Sequence, residues 1–209
     1  MLSIAGQFPG RWLQGYVRGK LGSDPVYQAA AEIIRAHPAP VLDIGCGIGL
    51  LAHYLDSLNC KVDYLGIDLD AGKIRIAQQA ASRHAHLRFL HASCDALPAW
   101  QGHVVILDVL HYLTADLQQN LLTAAAERVA PGASLIIRSV IRAASWRFAV
   151  TRLEEAFMRC VRWMRYRVQH YPDVAELETP LRNAGLLMEL RPLWARTPFN
   201  SYLIVARRP

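Results

Sequence analysis

The sequence predicts an α/β fold: a doubly wound, mostly parallel, seven-stranded sheet that ends in an antiparallel hairpin. Three observations predict it. Apolar runs of strand length alternate with helical patterns through residues 39–140. The first run, Val41-Leu42-Asp43-Ile44, opens into a turn with glycine at alternate positions, Gly45, Gly47 and Gly49. The chain then finishes on two β-like runs whose short link allows only an antiparallel pair.

The elements follow in order. Residues 12–36 read as helix in two pieces, broken around Gly22-Ser23-Asp24-Pro25. Asp24 ahead of Pro25 is a helix start with proline at the first helical position. His37-Pro38-Ala39-Pro40 leads into the first strand. Strands are expected at 41–44, 62–67, 87–91, 104–108 and 133–140, with helices between them near 49–58, 71–83 and 114–130. Pro131-Gly132 stops the last of these helices. Leu186 to Leu193 and Phe199 to Ala206 form the closing hairpin across Trp194-Ala195-Arg196-Thr197-Pro198.

Length and composition fit one domain: 209 residues, 53% of them hydrophobic, bury a substantial core. Cys46, Cys60, Cys94 and Cys160 are scattered without metal-ligand spacing and read as small core residues in a reducing cytoplasm. His84 and His86 form a His-x-His pair that no carboxylate or thiol joins at ligand spacing, so they read as surface residues and no metal is expected. No secretory signal and no apolar run of membrane-spanning length is visible.

The glycine turn carries the chemistry. A strand, a turn of minimal bulk and a helix start at Leu50 bring bare backbone and free helix N–H groups to a ligand. The dinucleotide pattern G-x-G-x-x-G is not met: the third glycine comes one residue early, and Leu50 stands where that pattern needs Gly or Ala. Asp43, two positions before the first glycine, repels a pyrophosphate and suits a cationic or amino-bearing ligand. The next run, Tyr64-Leu65-Gly66-Ile67, ends at Asp68, placed to accept hydrogen bonds from ribose hydroxyls.

Over residues 39–140 the chain resembles the class I S-adenosylmethionine-dependent methyltransferases. The resemblance rests on Asp43 to Gly49, on Asp68, on Cys94-Asp95-Ala96 closing the third strand, and on Val104 to Asp108. It implies S-adenosyl-L-methionine as cofactor. Asp43, Gly45, Cys46, Gly47 and Gly49 would pass under its methionine part, Asp68 and Leu69 would meet the ribose, Asp95 and Ala96 the adenine, and Asp108 the methionine. One departure is His103, where many relatives carry Asp. The single domain over 1–209 then divides into an N-terminal helical lid (1–38), the cofactor-binding core (39–140), a basic amphipathic insert (141–172) and a C-terminal helix and hairpin (173–209). Arg18 or Lys20 of the lid would meet the methionine carboxylate. The wording of the N-terminal segment also resembles methyltransferases of bacterial aryl-polyene pigment pathways, which implies a phenolic or carrier-bound aryl acceptor.

The acceptor side begins at Asp108-Val109-Leu110-His111-Tyr112-Leu113, just past the fourth strand. His111 titrates near neutrality when unperturbed, which suits a base, and Tyr112 suits an aromatic pocket or an acceptor hydrogen bond. Packing of His111 within the loop, with Thr114 capping the next helix, is the competing reading. Enzymes that methylate base amino groups usually carry Asn/Asp-Pro-Pro-Tyr/Phe here; Asp108, Val109, Leu110 and His111 argue against a nucleic-acid acceptor. Net charge is +6, and every basic residue except Lys20, Lys61 and Lys73 is arginine. Arg138, Arg142, Arg147, Arg152, Arg159, Arg162, Arg165 and Arg167 cluster with Trp146, Phe157 and Met164 in a stretch whose only acids are Glu154 and Glu155. This predicts a basic amphipathic helix over 145–168. Its options are covering a hydrophobic acceptor, docking an acidic carrier protein, contacting the inner membrane surface, or packing on the sheet with its arginines solvated. The expected enzyme is a cytoplasmic methyltransferase of a small or lipophilic, aromatic or carrier-bound acceptor. A non-catalytic S-adenosylmethionine-binding partner or regulator is the alternative, and Leu50 and Asp43 disfavour a nicotinamide-dependent reductase.

Overall fold

The computed structural model describes residues 2–142, 146–150, 167–194 and 200–208. Three helices, α1 (Leu2–Ala5), α2 (Arg11–Ser23) and α3 (Val26–Ala36), precede β1 (Val41–Ile44). Then come α4 (Leu50–Ser57), β2 (Tyr64–Asp68), α5 (Ala71–Ala80), β3 (Leu87–His91) and β4 (His103–Leu107). A 3₁₀ turn at Leu110–Tyr112, α6 (Ala115–Glu127) and β5 (Leu135–Val140) follow, and α7 (Val174–Asn183), β6 (Leu187–Pro192) and β7 (Ser201–Arg207) close the chain.

The seven strands lie in the order β3-β2-β1-β4-β5-β7-β6. Strands β1 to β5 pair in parallel, whereas β7 is antiparallel to both β5 and β6. The expected doubly wound sheet with its closing hairpin is therefore present. Both faces are covered, because the inner strands are apolar on both sides. Val41, Tyr64, Val105 and Ile136 pack with α1 to α5, through Ile4, Val17, Ala30, Leu51 and Ala77. Their neighbours Leu42, Leu65, Val104, Ile106 and Leu135 pack on the other face with Leu121, Leu122 and Ala125 of α6 and Leu177 and Leu181 of α7.

Caps explain several boundaries. Asp70 accepts from the N–H groups of Gly72 and Lys73 to start α5, and Thr114 accepts from Leu117 N–H to start α6. Asp173 and Glu176 form a reciprocal capping box on α7. The break after α2 is as expected, but Pro25 stands just before α3, which begins at Val26. Short α1 was not legible in the sequence; Ile4 and Phe8 hold it by burial. His103 bridges three segments: its Nδ1 accepts from Ser134 N–H at 3.0 Å, so its Nε2 donates to His37 O at 2.7 Å.

Two expectations change. Cys46, Cys60 and Cys94 are free thiols, but half-buried rather than core; Cys160 lies outside the described residues. Asp56 of α4 joins the His-x-His pair, 3.3 Å from His84 Nδ1 and 3.1 Å from His86 Nε2. Distant sequence position hid that carboxylate. No group of three or more His, Cys, Asp or Glu side chains is arranged to hold a metal among the described residues. No helix among them is long and apolar enough to cross a membrane. Of the expected helix over 145–168, only 146–150, which are helical, and 167–168 are described; the rest lies outside the described residues.

Candidate active site

The chain leaves β1 toward β2 on one side, while β4 flanks β1 on the other. Open α/β sheets bind ligands at the carboxyl ends of strands at such a switch point. A cavity of about 570 Å³ opens there, between the tips of β1, β2 and β4 and the helical segment 16–27.

The turn after β1 forms its floor. Gly45 and Cys46 donate their N–H groups to Ile67 O of β2 at 2.8 and 3.0 Å, and Gly47 N–H donates to Asp68 Oδ2 at 2.8 Å. Gly45 has φ +78°, and a Cβ there would stand 2.3 Å from Val109 Cγ2. The turn thus needs glycine both for its backbone and for close approach to the loop after β4. Gly49 caps α4 and points its N–H at Cys46 O.

Asp43 lines the cavity although only 3% of its surface is exposed. Burial pushes its pKa up to about 7; the Tyr64 hydroxyl, which donates a short hydrogen bond to Oδ2, opposes this, and Asp68 adds to it. No cationic side chain among the described residues makes an ion pair with Asp43. Asp68 lines the cavity too, and its Oδ1 accepts from Asp70 N–H at 2.8 Å. Each oxygen keeps a second lone pair for a ligand hydroxyl. On the β4 side, Asp108 is half-buried, has φ +60°, and pairs with Arg138 at 3.0 Å.

Among the other expected site residues, Cys46, Gly47, Leu69 and Tyr112 line the cavity. Gly49, Arg18, Asp95, Ala96 and His111 do not. Arg18 is exposed on α2 and Lys20 takes its place at the wall, paired with Asp24 at 2.7 Å. Asp95 is exposed in a turn closed by Ser93, and the loop after β3 reaches the cavity through Ala92, Ser93 and Cys94 instead. His111 is 5% exposed, and its ring centroid lies 4.1 Å from that of Tyr112, which does line the cavity. Its buried Nδ1 has no hydrogen-bond partner, and burial lowers its pKa against the opposing pull of Asp108. Sequence reading missed Tyr16, Tyr27 and Gln169 of the wall. An aromatic residue on a helix carries no signal of the cavity it faces.

Residues 41–132 match the family described as a methyltransferase domain. That stretch, somewhat less than half of the chain, is thus similar to a methyltransferase domain. A Mycobacterium tuberculosis protein provisionally named a methyltransferase is 38% identical over 58 residues, 28% of this chain and 35% of that protein. An uncharacterized Synechococcus protein is 30% identical over 122 residues, 56% of this chain and 28% of that protein. The chain thus spans about a third of the curated relatives it matches. Among solved structures, magnesium protoporphyrin IX methyltransferase from Synechocystis, with bound S-adenosylhomocysteine, superposes with TM-score 0.70 at 18% identity, covering 99% of this chain and 92% of that one. Nothing in these matches supports the narrower likeness to aryl-polyene pathway methyltransferases. Three carboxylates, those of Asp43, Asp68 and Asp108, line this one cavity. Asp43 and Asp68 sit on either side of the glycine turn, one sealed in and one open to hydroxyl donors.

Proposed function

We propose that the chain transfers a methyl group from S-adenosylmethionine to a small or lipophilic acceptor, aromatic or carrier-bound. The observation that carries this is the buried Asp43 carboxylate, which faces the cavity with no cationic partner among the described residues, beside Gly45, where a Cβ would meet Val109. That arrangement suits a cationic methionine head. Asp43 and the Gly45–Gly47 turn would hold the head, and Asp68 would accept from the ribose hydroxyls. The cofactor supplies a methyl group already activated on a sulfonium. The protein's remaining work is to align the acceptor, exclude water and take a proton where the acceptor carries one.

Tyr112 lines the cavity and would meet the acceptor; the ring of His111 lies against that of Tyr112. Burial lowers the His111 pKa, which favours the neutral imidazole that a base requires. The Arg-rich stretch beyond β5 fits an acidic carrier or an anionic membrane surface as the acceptor's source. The reading as a non-catalytic binding protein has no observation of its own in its favour.

The test is transfer of radiolabelled methyl from S-adenosylmethionine into fractionated cell extract. Label is expected in the small-molecule, lipid or carrier-protein fraction. Protein that binds the cofactor yet labels no fraction would overturn the enzymatic reading. In the same assay His111→Gln should lower turnover at saturating acceptor and leave cofactor affinity unchanged; unaltered turnover removes His111 as the base.

A further inference from the structure

Four charged side chains form an unbroken chain along one edge of the cavity. Lys20 Nζ lies 2.7 Å from Asp24 Oδ2, Arg138 Nη1 lies 2.6 Å from the same oxygen, and Arg138 Nη1 lies 3.0 Å from Asp108 Oδ2. Arg138 Nε also donates to Ser201 Oγ of β7 at 2.9 Å, which fixes the guanidinium in the sheet. Lys20 and Asp108 line the cavity, but Asp24 and Arg138 do not.

We propose that Arg138 is a positioning residue that latches the N-terminal helices onto the cofactor cavity through Asp24, while holding Asp108 at its base. The inference rests on the cofactor reading above. Asp24 sits at the bend between α2 and α3, where its Oδ1 accepts from Val26 N–H at 3.1 Å. Tyr16 and Lys20 precede that bend and Val26 and Tyr27 follow it, and all four form cavity wall. One guanidinium therefore grips the bend that carries one wall and the strand tip that carries the base. Asp108 adopts a left-handed backbone, unfavourable for a non-glycine residue, and its ion pair with Arg138 offsets that. The Asp24 side chain is 6% exposed and that of Arg138 16%, so water competes little for this contact. Burial alone would raise the Asp24 pKa; Arg138 and Lys20 more than reverse it, so the latch stays charged.

The test uses the full chain with S-adenosylhomocysteine, calorimetry, and amide exchange over residues 11–36. Asp24→Asn keeps an oxygen for Val26 and removes the charge. Arg138→Lys keeps the charge and removes the fork. In the parent protein the ligand should slow exchange across 11–36. In both variants affinity should fall about 5- to 10-fold, as expected for a lost charge-assisted contact, with ligand-induced slowing of that segment lost. Melting curves establish that the variants are folded. Folded variants that match the parent in affinity and in ligand-induced slowing would overturn the latch. A parent protein that does not bind S-adenosylhomocysteine would instead overturn the cofactor reading itself.

Discussion

Asp43 and Asp108 stand at the tips of adjacent strands and open onto one cavity, yet their surroundings are opposite. Asp108 is half-open to solvent and already neutralised by Arg138. Asp43 is sealed, has a tyrosine hydroxyl and another carboxylate for company, and is pushed to about pH 7. A buried carboxylate without a cation is costly to keep charged. Such a site is stabilised by any ligand that brings a cation. Asp108, whose charge is met within the protein, instead holds neighbouring parts of the chain together. On the proposed function, two carboxylates one strand apart would divide the work between binding and bracing.

The largest expected effect tests whether the two strand tips must touch. Gly45→Ala would push a Cβ to 2.3 Å from Val109 and force an L-residue to φ +78°. We expect it to cost at least about 3 kcal/mol of stability, from overpacking plus left-handed strain. Gly47→Ala is the control: φ is +58° but no atom lies within 4 Å of the added Cβ, so about 1 kcal/mol is expected. Urea titrations of the two variants measure the gap. Equal losses would mean that contact between the tips does not matter.

The next effect sets Asp43 against a second buried group, His53 of α4. His53 is 1% exposed with neither ring nitrogen bonded, and burial, helped by His84, lowers its pKa to about 4. The two groups act on stability with opposite signs. Asp43 is raised on folding, so its penalty is absent below about pH 4 and complete above about pH 7. His53 is depressed on folding, so its penalty is absent above its unfolded pKa near 6.5 and complete below about pH 4. Between these limits the two slopes largely cancel. Asp43→Asn should unmask a stability that rises with pH by about 3 kcal/mol, and His53→Leu one that falls by about 4 kcal/mol. Denaturant midpoints from pH 4 to 7 read both slopes. If each variant tracks the parent, Asp43 is not the strained, uncompensated acid that the comparison requires.

How legible this was differs between the two halves of the site. The β1–β2 half is written locally: an apolar run, Asp43, alternate glycines, and Asp68 at the next strand's end are read off as a unit because strand pairing brings them together by rule. All seven strands were visible for the same reason. The β4–β5 half was legible only in part: Asp108 and Tyr112 line the cavity as expected, but their surroundings were not foreseen. Arg138 meets Asp24 across 114 residues of sequence, and neither residue type signals a partner at that distance. His111 looked like a cavity residue by position, but the 3₁₀ turn buries it against Tyr112, which lines the cavity instead. Asp95 fell one residue beyond the stretch that faces the cavity, because Ser93 closes the turn early. Side-chain direction within a loop depends on such single hydrogen bonds, which pattern and propensity do not encode.

The smallest expected effect concerns Asp68, the one carboxylate that belongs to both schemes. Its oxygens brace the protein by accepting from Gly47 and Asp70 N–H, and they also line the cavity. If it binds as well as braces, Asp68→Ala should weaken S-adenosylhomocysteine binding by about 1–3 kcal/mol, the range for lost charge-assisted hydrogen bonds. Asp68→Asn separates the roles. One amide oxygen can still accept from a backbone N–H, but the charge that favours ribose hydroxyls is gone. We expect Asp68→Asn to retain most of the parent's melting temperature while losing much of the affinity that Asp68→Ala loses. Calorimetry that finds the parent's affinity in both variants would reduce Asp68 to a brace for the glycine turn and leave Asp43 as the only carboxylate assigned to the cofactor.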